Sequence, residues 1–212
     1  MHFLKENRLF IALSTVAVAL LLHLDKPVAV WVRTIHDRKS AAFVRYFDIP
    51  LCFVTHGTTL VIIACLFFVA GRYYGRRITE TGKALSVSFL VSGIAAQVLK
   101  HLFGRARPRL TDDLVFIGPT LRGGYDSFPS GHTTVAFCFA YTISQYFPRY
   151  SGIFYSLASV IGLSRIESTS HFSSDVVAGA AVGLILGKLL ARRLSFMSGG
   201  GAASGERRPE QP

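Results

Sequence analysis

Residues 164–187 read SRIESTSHFSSDVVAGAAVGLILG, a segment in which ionisable residues lead directly into a long apolar run. His171 and Asp175 are four positions apart, so on a helix they share one face. The same spacing continues through Gly179, Gly183 and Gly187. Small residues at this spacing let helices approach closely in membranes, and an ionisable pair inside a helical bundle is costly. The segment therefore predicts a functional site at one end of a helix that packs inside a membrane bundle.

Six apolar stretches run along the chain, at 9–24, 51–71, 84–99, 132–147, 150–163 and 176–191. Half of the 212 residues are apolar, charged residues make up only 17%, and the mean hydropathy is +0.41. Soluble domains carry about 25% charged residues, so this composition favours lipid as the main solvent. We predict an all-α integral membrane bundle of six transmembrane helices over residues 1–197, with the active site at one membrane face. Residues 198–212, rich in Gly, Ala, Ser and charge, are predicted to form a disordered tail.

The distribution of basic residues bears on orientation. An even number of spans places both termini on one side and the connections at 25–50, 100–131 and 164–175 on the other. Eleven Lys and Arg residues lie outside the spans on each side, but three on the second side are assigned below to substrate binding. The positive-inside rule then places the termini in the cytoplasm and the active site on the outer face of a bacterial-type cytoplasmic membrane.

The net charge of +11 does not indicate a nucleic-acid-binding protein, because Lys and Arg lie between long apolar runs rather than on one soluble face. This placement suits membrane flanks and a pocket for an anionic substrate. The three cysteines, Cys52, Cys65 and Cys138, lie inside apolar stretches. They indicate neither a disulfide framework nor a cysteine metal site.

One basic cluster falls at the end of the third apolar stretch, in the run KHLFGRARP at 100–108. A helix extended through Lys100 would place Gly93, Gln97 and Lys100 on one face. Arg107 follows seven positions later, directly before a proline that closes off any helix. Such residues form either an ordinary basic membrane flank or a phosphate-binding group.

A second cluster is the tetrapeptide PSGH at 129–132, directly before an apolar stretch. Ser130 suits a helix N-cap, and Gly131 lets a ligand approach the backbone closely. Free N–H groups at such a helix start attract phosphate, and the ring of His132 would lie within reach of the same ligand. An ordinary capped helix with an interfacial histidine explains the tetrapeptide equally well.

Together these clusters supply the groups that phosphoryl transfer needs. A carboxylate such as Asp175, bonded to one ring nitrogen of His171, would fix the tautomer and leave the other nitrogen free to attack. Cations at Lys100, Arg107 and Arg165 would stabilise the charge on the phosphate oxygens. The sequence therefore predicts a phosphoryl-transfer site at one membrane face.

At these positions the sequence resembles the type 2 phosphatidic acid phosphatase superfamily of membrane lipid phosphatases. The family signature has three parts: Lys-x6-Arg-Pro, Pro-Ser-Gly-His, and Ser-Arg-x5-His-x3-Asp. The first is matched at 100–108, the second at 129–132 and the third at 164–175, without a departure. The resemblance covers residues 100–175, and six spans fit the membrane branch of the family.

The resemblance implies a mechanism and a set of roles. His171 would attack phosphorus to form a phosphohistidine, with Asp175 orienting it, and His132 would protonate the leaving oxygen. The phosphate oxygens would be held by Lys100, Arg107, Ser130, the amide of Gly131, and Arg165. No metal and no cofactor are expected.

The resemblance leaves the substrate and several alternatives open. Candidate substrates are a polyprenyl diphosphate, phosphatidylglycerol phosphate, phosphatidic acid, or the phosphorylated headgroup of an outer-membrane glycolipid. A lipid phosphotransferase could use the same phosphohistidine. Soluble vanadium haloperoxidases share the pocket, but the six apolar stretches argue against them. A non-catalytic membrane scaffold or permease would predict that His171→Ala leaves function intact.

Some segments outside the motifs bear on lipid specificity. Residues 25–50 mix aromatic and basic side chains and suit either an interfacial amphipathic helix or a solvated loop. Arg122 and Tyr125 are candidate headgroup contacts, although each is also an ordinary loop residue. The Asp112–Asp113 pair is read as part of a solvated loop, with no metal and no role assigned to it.

Overall fold

The computed structural model describes residues 2–38 and 57–199. Its helices are α1 (His2–Arg38), α2 (Gly57–Tyr74), α3 (Arg76–Phe103), α4 (Gly131–Tyr146), α5 (Ser151–Glu167) and α6 (Ser173–Gly199). A short 3-10 helix, Pro148–Tyr150, joins α4 to α5. Within these ranges there is no β-strand, only one isolated bridge between Arg105 and Phe116. The predicted all-α fold is therefore confirmed.

Three helices are long and apolar enough to cross a membrane: α1 over Lys5–Thr34, α3 over Arg76–Phe103, and α6 over Ser173–Arg193. The other three, α2, α4 and α5, have 18, 16 and 17 residues and coincide with the remaining apolar stretches. Helices of this size are about 24–27 Å long, just short of the roughly 30 Å hydrocarbon core. The count of six spans stays a prediction.

The glycine ridge of α6 packs against α4, as predicted. A Cβ atom built on Gly179 would lie 2.7 Å from the Ser130 carbonyl oxygen, and one on Gly187 would lie 2.8 Å from Cβ of Tyr141. A Cβ atom on Gly183 would overlap the carbonyl oxygen of Thr134. Only glycine permits these approaches without a shift, so the ridge sets how closely the two helices pack.

Helix α3 extends through Lys100 and buries it, as predicted, but the rest of its buried face differs from the predicted one. Ser88, Ser92, Ala96 and Lys100 are buried, whereas Gln97 is exposed. The buried residues repeat every four positions, and Ser88, Ser92 and Ala96 are small enough for α4 to pack against them. Ser88 Oγ lies 2.7 Å from Thr142 Oγ1 of α4, a hydrogen bond that ties the two helices together in an apolar setting.

Helix α1 continues well beyond its apolar stretch, through Pro27 to Arg38. The first part of the 25–50 segment is therefore helical, as one of the two alternatives predicted, but as an extension of the first span. Residues 39–50 lie outside the described ranges. At about 55 Å for 37 residues, α1 is much longer than a membrane core is thick.

The C-terminal half of α1 is docked on the loop that joins α3 to α4. Lys26 Nζ donates to Asp113 Oδ1 at 2.8 Å, and Arg33 pairs with Asp112. Arg33 Nη2 also donates to the Pro108 carbonyl at 2.9 Å. The two aspartates, read from sequence as a loop without a role, thus hold α1 against this loop.

At the other end of the chain, α6 ends at Gly199, which lies two residues into the predicted tail. Residues 200–212 lie outside the described ranges.

Candidate active site

The predicted site residues converge where α3 and α5 end and where α4 and α6 begin. The ring of His132 is within electrostatic reach of Arg165, His171, Lys100 and Arg107. A Cβ atom on Gly131 would lie 3.4 Å from Lys100 Cε, and the backbone N–H of Ser130 donates to the Asp175 carbonyl at 3.0 Å. The fold therefore assembles the three sequence clusters at one end of the bundle.

His171 is oriented by a backbone carbonyl rather than by the predicted carboxylate. Its Nδ1 lies 2.8 Å from the carbonyl oxygen of Ser127, and 3.7 Å from Oδ2 of Asp175. A carbonyl oxygen can only accept, so Nδ1 carries the proton and Nε2 keeps its lone pair. The predicted tautomer therefore follows from the geometry, although its main hydrogen-bond partner is the Ser127 carbonyl.

The prediction that His171 and Asp175 lie on one face of a helix is wrong. His171 lies in the turn before α6, which begins at Ser173, so the two residues do not share a helix face. Asp175 Oδ2 accepts the backbone N–H of Phe172 at 2.8 Å, just ahead of the helix. The carboxylate is thus partly used to cap the start of α6, where an anion is favourable.

Two further donors fix the buried carboxylate of Asp175. The Ser127 hydroxyl donates to Oδ2 at 2.6 Å, and Arg105 Nη1 donates to Oδ1 at 2.5 Å. The backbone N–H of Ser127 in turn donates to the Arg105 carbonyl at 3.0 Å. Ser127 therefore joins His171 to Asp175, with its carbonyl on the ring and its hydroxyl on the carboxylate.

The turn that carries His171 is held from two sides. The backbone N–H groups of Ser170 and His171 both donate to the Arg165 carbonyl at 3.1 Å. Arg109 Nη2 donates to the Ser168 carbonyl at 3.1 Å and to the Ser170 hydroxyl at 2.8 Å. These bonds fix where the ring stands relative to the end of α5.

Burial of His171 favours the neutral imidazole. Burial of His171 lowers its pKa below the usual 6.5, the carboxylate of Asp175 opposes that change, and the cations Lys100 and Arg107 add to it. A neutral imidazole with a free Nε2 lone pair is the form that can attack phosphorus.

Of the three predicted phosphate-binding cations, Arg107 is partly exposed, whereas Lys100 and Arg165 are buried. Arg107 donates from Nε and Nη2 to the two carboxylate oxygens of Asp126, at 2.8 and 2.6 Å. Lys100 Nζ lies 3.7 Å from Asp126 Oδ2. Partial burial of Asp126 raises its pKa, but the hydrogen bonds and charge of Arg107 and the charge of Lys100 outweigh this and lower the pKa to about 2. The carboxylate of Asp126 is therefore ionised at neutral pH.

Ser130 and Gly131 lie at the start of α4, as predicted, but Ser130 does not cap the helix with its side chain. Its hydroxyl instead accepts a hydrogen bond from Thr133 Oγ1 at 2.9 Å. The amide of Gly131 stands beside the Lys100 side chain, so a helix start and a cation face the same space.

Sequence reasoning missed four residues: Asp25, Arg105, Ser127 and Asp126. Only Asp25 carried a local signal, a carboxylate at the end of an apolar run, where ionisable residues are costly. Of the two candidate headgroup contacts, Arg122 places its guanidinium 5.0 Å from the centre of the Tyr125 ring. Their contact with a lipid stays a prediction.

Comparison with known proteins places this geometry in a family. The model of the PAP2 superfamily matches residues 81–196, which include all three motifs. A lipid A 1-phosphatase from Rhizobium etli is 31% identical over 191 residues, which cover 82% of this chain and 78% of that protein.

Two crystal structures share the fold. One is a transmembrane PAP2-type phosphatidylglycerolphosphate phosphatase from Bacillus subtilis, with a TM-score of 0.65 at 21% identity, covering 98% of this chain and all of that one. The other is Aquifex aeolicus LpxE, with a TM-score of 0.58 at 25% identity, covering 76% of this chain and 93% of that one. With three motifs assembled on one membrane-helix bundle, the chain belongs to the PAP2 superfamily and is a membrane lipid phosphatase.

Proposed function

We propose that the protein removes the phosphate of a lipid A-type glycolipid by way of a phosphohistidine on His171. The observation that carries the mechanism is the hydrogen bond of His171 Nδ1 to the Ser127 carbonyl at 2.8 Å. It leaves Nε2 as the nitrogen with a lone pair. The turn that carries the ring is held by the backbone carbonyl of Arg165 and by the side chain of Arg109.

In the first step, the Nε2 lone pair of His171 forms a bond to phosphorus and the ester P–O bond breaks. The electron pair of that bond moves to the lipid oxygen, which takes a proton from His132. Lys100, Arg107 and Arg165, with the amide at Gly131, stabilise the charge on the remaining phosphate oxygens.

In the second step, water attacks phosphorus and the N–P bond breaks, returning its electron pair to Nε2. His132, now neutral, takes a proton from the water. The products are the dephosphorylated lipid and inorganic phosphate, and both histidines recover their starting states. A phosphotransferase would differ only in the acceptor, so phosphate released should equal lipid consumed.

Sequence similarity supports a glycolipid substrate. The Rhizobium etli relative is named a lipid A 1-phosphatase, and the match covers 82% of this chain. The Bacillus subtilis protein that shares the fold is named a phosphatidylglycerolphosphate phosphatase and is 21% identical to this chain. Phosphatidylglycerol phosphate is therefore the main competing substrate.

We also propose that the site faces outward from a bacterial cytoplasmic membrane, as the basic-residue distribution favours. Leu121, on the α3–α4 loop, is 85% exposed. In a variant whose three native cysteines are replaced by alanine, a cysteine at this position should react in intact cells with a maleimide that cannot cross the membrane. Labelling only after the membrane is opened would reverse the orientation.

The substrate test uses protein purified in detergent with EDTA present throughout. Phosphate release is measured from lipid A, phosphatidylglycerol phosphate, phosphatidic acid and undecaprenyl diphosphate, and mass spectrometry identifies which phosphate of lipid A is lost. His171→Ala tests the nucleophile. His101→Ala is the matched control, because His101 follows Lys100 in α3 but its ring bonds to the Thr120 carbonyl of the loop.

Wild type and His101→Ala should release phosphate, with lipid A the best substrate, and His171→Ala should release none. Release by folded His171→Ala at the wild-type rate would overturn the mechanism. A higher kcat/KM for another lipid would overturn the substrate and leave the mechanism standing.

A further inference from the structure

Behind the nucleophile lies a buried group of three charged side chains that no motif contains. Arg105 is 1% exposed, Asp25 is 3% exposed and Asp175 is fully buried. Arg105 Nη2 donates to Asp25 Oδ2 at 2.8 Å, and Nη1 donates to Asp175 Oδ1 at 2.5 Å. One guanidinium thus joins a carboxylate on α1 to the carboxylate beside His171.

The first turn of α6 completes the hydrogen bonding of Asp25. Its Oδ1 accepts the Ser173 hydroxyl at 2.8 Å and the backbone N–H of Ser174 at 3.0 Å. The Ser174 hydroxyl accepts from Arg105 Nη1 at 2.6 Å and donates to the other oxygen of Asp25. The carboxylate of Asp25 is therefore fixed by several donors, as a buried charge requires.

Aromatic rings enclose the guanidinium. The Phe172 ring centre is 4.3 Å from Arg105 Cζ and the Phe116 ring centre is 5.3 Å away. In the part of the chain that the structure describes, Nε of Arg105 is the one buried side-chain nitrogen or oxygen without a hydrogen bond. The cation is thus held by its two carboxylates and by ring faces, in surroundings that screen charge weakly.

The charge balance of this group has a consequence for the nucleophile. Arg105 and Asp175 alone would form a neutral pair, so His171 would face no net charge from behind. Asp25 adds a second carboxylate and makes the group net negative. When Nε2 bonds to phosphorus while Nδ1 keeps its proton, the imidazole ring becomes cationic, and a fixed negative charge behind it stabilises that state.

We propose that Asp25 is a positioning residue for catalysis, which acts through Arg105 and Asp175 and touches no substrate. It keeps the group behind His171 negative and makes α1 part of the active site. Asp25 and His171 line the same small cavity, of about 10 Å³, together with Pro108 and Phe172. This inference rests on the proposed function of His171 as nucleophile.

The test compares variants that separate charge from shape. Asp25→Asn removes the charge and keeps the volume, whereas Asp25→Glu keeps the charge and changes the shape. Lys26→Gln is the matched control. It breaks the exposed ion pair of Lys26 with Asp113, which joins α1 to the α3–α4 loop next to Asp25. Ser174→Ala removes one hydroxyl from the group without changing its charge, and gives a milder probe if Asp25→Asn does not fold.

Kinetics are measured in detergent with the lipid that wild type hydrolyses fastest in the panel above, and the unfolding temperature is recorded for each variant. Asp25→Asn should lower kcat about 10- to 100-fold with KM within about twofold. Losses of this size are typical when a residue that orients an active-site ligand from behind is removed in metalloenzymes. Asp25→Glu should recover most of that loss, Lys26→Gln should match wild type, and Ser174→Ala should lower kcat by about threefold to tenfold.

Three outcomes would overturn the proposal: wild-type kcat in Asp25→Asn, a greater loss in Asp25→Glu than in Asp25→Asn, or an equal loss in Lys26→Gln. If Asp25→Asn does not fold, wild-type kcat in Ser174→Ala would overturn it. His171→Ala is assayed in parallel. Full activity in that variant would refute the proposed nucleophile itself, and is thus distinguishable from failure of the role of Asp25.

Discussion

The two sides of His171 use the same kinds of ion pair under opposite conditions. Behind the ring, the side chains of Arg105 and Asp175 are 1% and 0% exposed. In front, those of Arg107 and Asp126 are 26% and 29% exposed. We call the first set, Asp25, Arg105, Ser127 and Asp175, the buried network. We call the second set the cationic face: it holds the partly exposed Arg107 and Asp126, and the buried cations Lys100 and Arg165.

The difference in exposure decides what each side can do. Breaking a buried ion pair by removing one partner costs about 3–5 kcal/mol, and fully exposed pairs contribute about 0–1 kcal/mol. The half-buried, bidentate pair of Arg107 and Asp126 lies between these limits. We therefore expect a substrate phosphate to replace Asp126 as the partner of Arg107. No such exchange is open to Arg105, so the buried network stays fixed during turnover. Changes behind the ring should act on kcat, and changes in front of it should act on KM as well.

The largest effect is expected for Asp175→Asn, on the buried side. The change leaves Arg105 with one carboxylate. It also replaces the carboxylate that accepts from the Ser127 hydroxyl and the Phe172 N–H with an amide, which can turn its NH2 group toward these donors. We expect kcat to fall on the order of 10³- to 10⁴-fold, as in hydrolases that lose the carboxylate behind a histidine. Steady-state kinetics on folded protein would check this. A loss below tenfold would show that the Ser127 carbonyl suffices to orient His171.

Arg107→Ala, on the cationic face, should lower kcat/KM by about 100-fold, because one donor to the charged phosphate oxygens is lost. KM should carry part of the loss, in contrast with Asp175→Asn. Asp126→Asn is the matched control, since it removes the partner of Arg107 and leaves the cation in place. If this control lost as much activity as Arg107→Ala, the pair would be a fixed structural one and the comparison would fail.

Ser127→Ala should have a smaller effect than either. The substitution removes the hydroxyl that donates to Asp175 but keeps the backbone carbonyl that holds the His171 ring. We expect kcat to fall about tenfold with KM unchanged. A rise in KM with kcat at the wild-type value would place Ser127 on the substrate side instead.

The pH dependence should show the smallest effect. Burial lowers the pKa of His171, and the neutral ring is the reactive form, so activity should persist below pH 6.5 and fall only as the pH passes below the lowered pKa. Asp126, with a pKa of about 2, stays ionised across this range. The measurement is kcat/KM as a function of pH. The ionisation of the substrate phosphate is followed separately by phosphorus NMR, and kcat/KM is corrected for it. An acid-side midpoint at or above 6.5 would contradict the burial argument.

Much of the fold could be predicted from sequence because a membrane requires long apolar helices. The spacing of Gly179, Gly183 and Gly187 predicted the close packing of α6, since small residues four apart are a local pattern. The extension of α1 to Arg38 was left open, because basic and aromatic residues suit both a helix and a loop at a membrane surface. Helix periodicity correctly placed Lys100 inside the bundle but gave it the wrong neighbours on α3, since Gly93 and Gln97 lie beside the buried ridge rather than on it.

The site was predictable only where side-chain types carried the information. Lys100, His132 and His171 have the chemistry of phosphoryl transfer, so their spacing indicated the site. The orienting group of His171 is a backbone carbonyl, which any residue supplies, so no residue type could reveal it. Asp25 pairs with a residue 80 positions away, and no local pattern links the two.

The central claim is tested most directly by trapping the phosphoenzyme. Wild type would be mixed with lipid A carrying ³²P at its 1-phosphate, quenched in alkali during the first turnover, and digested for mass spectrometry. The account predicts an acid-labile label on Nε2 of His171, which disappears as inorganic phosphate is released. A label on Nδ1 or on another residue, or hydrolysis by His171→Ala at the wild-type rate, would contradict it.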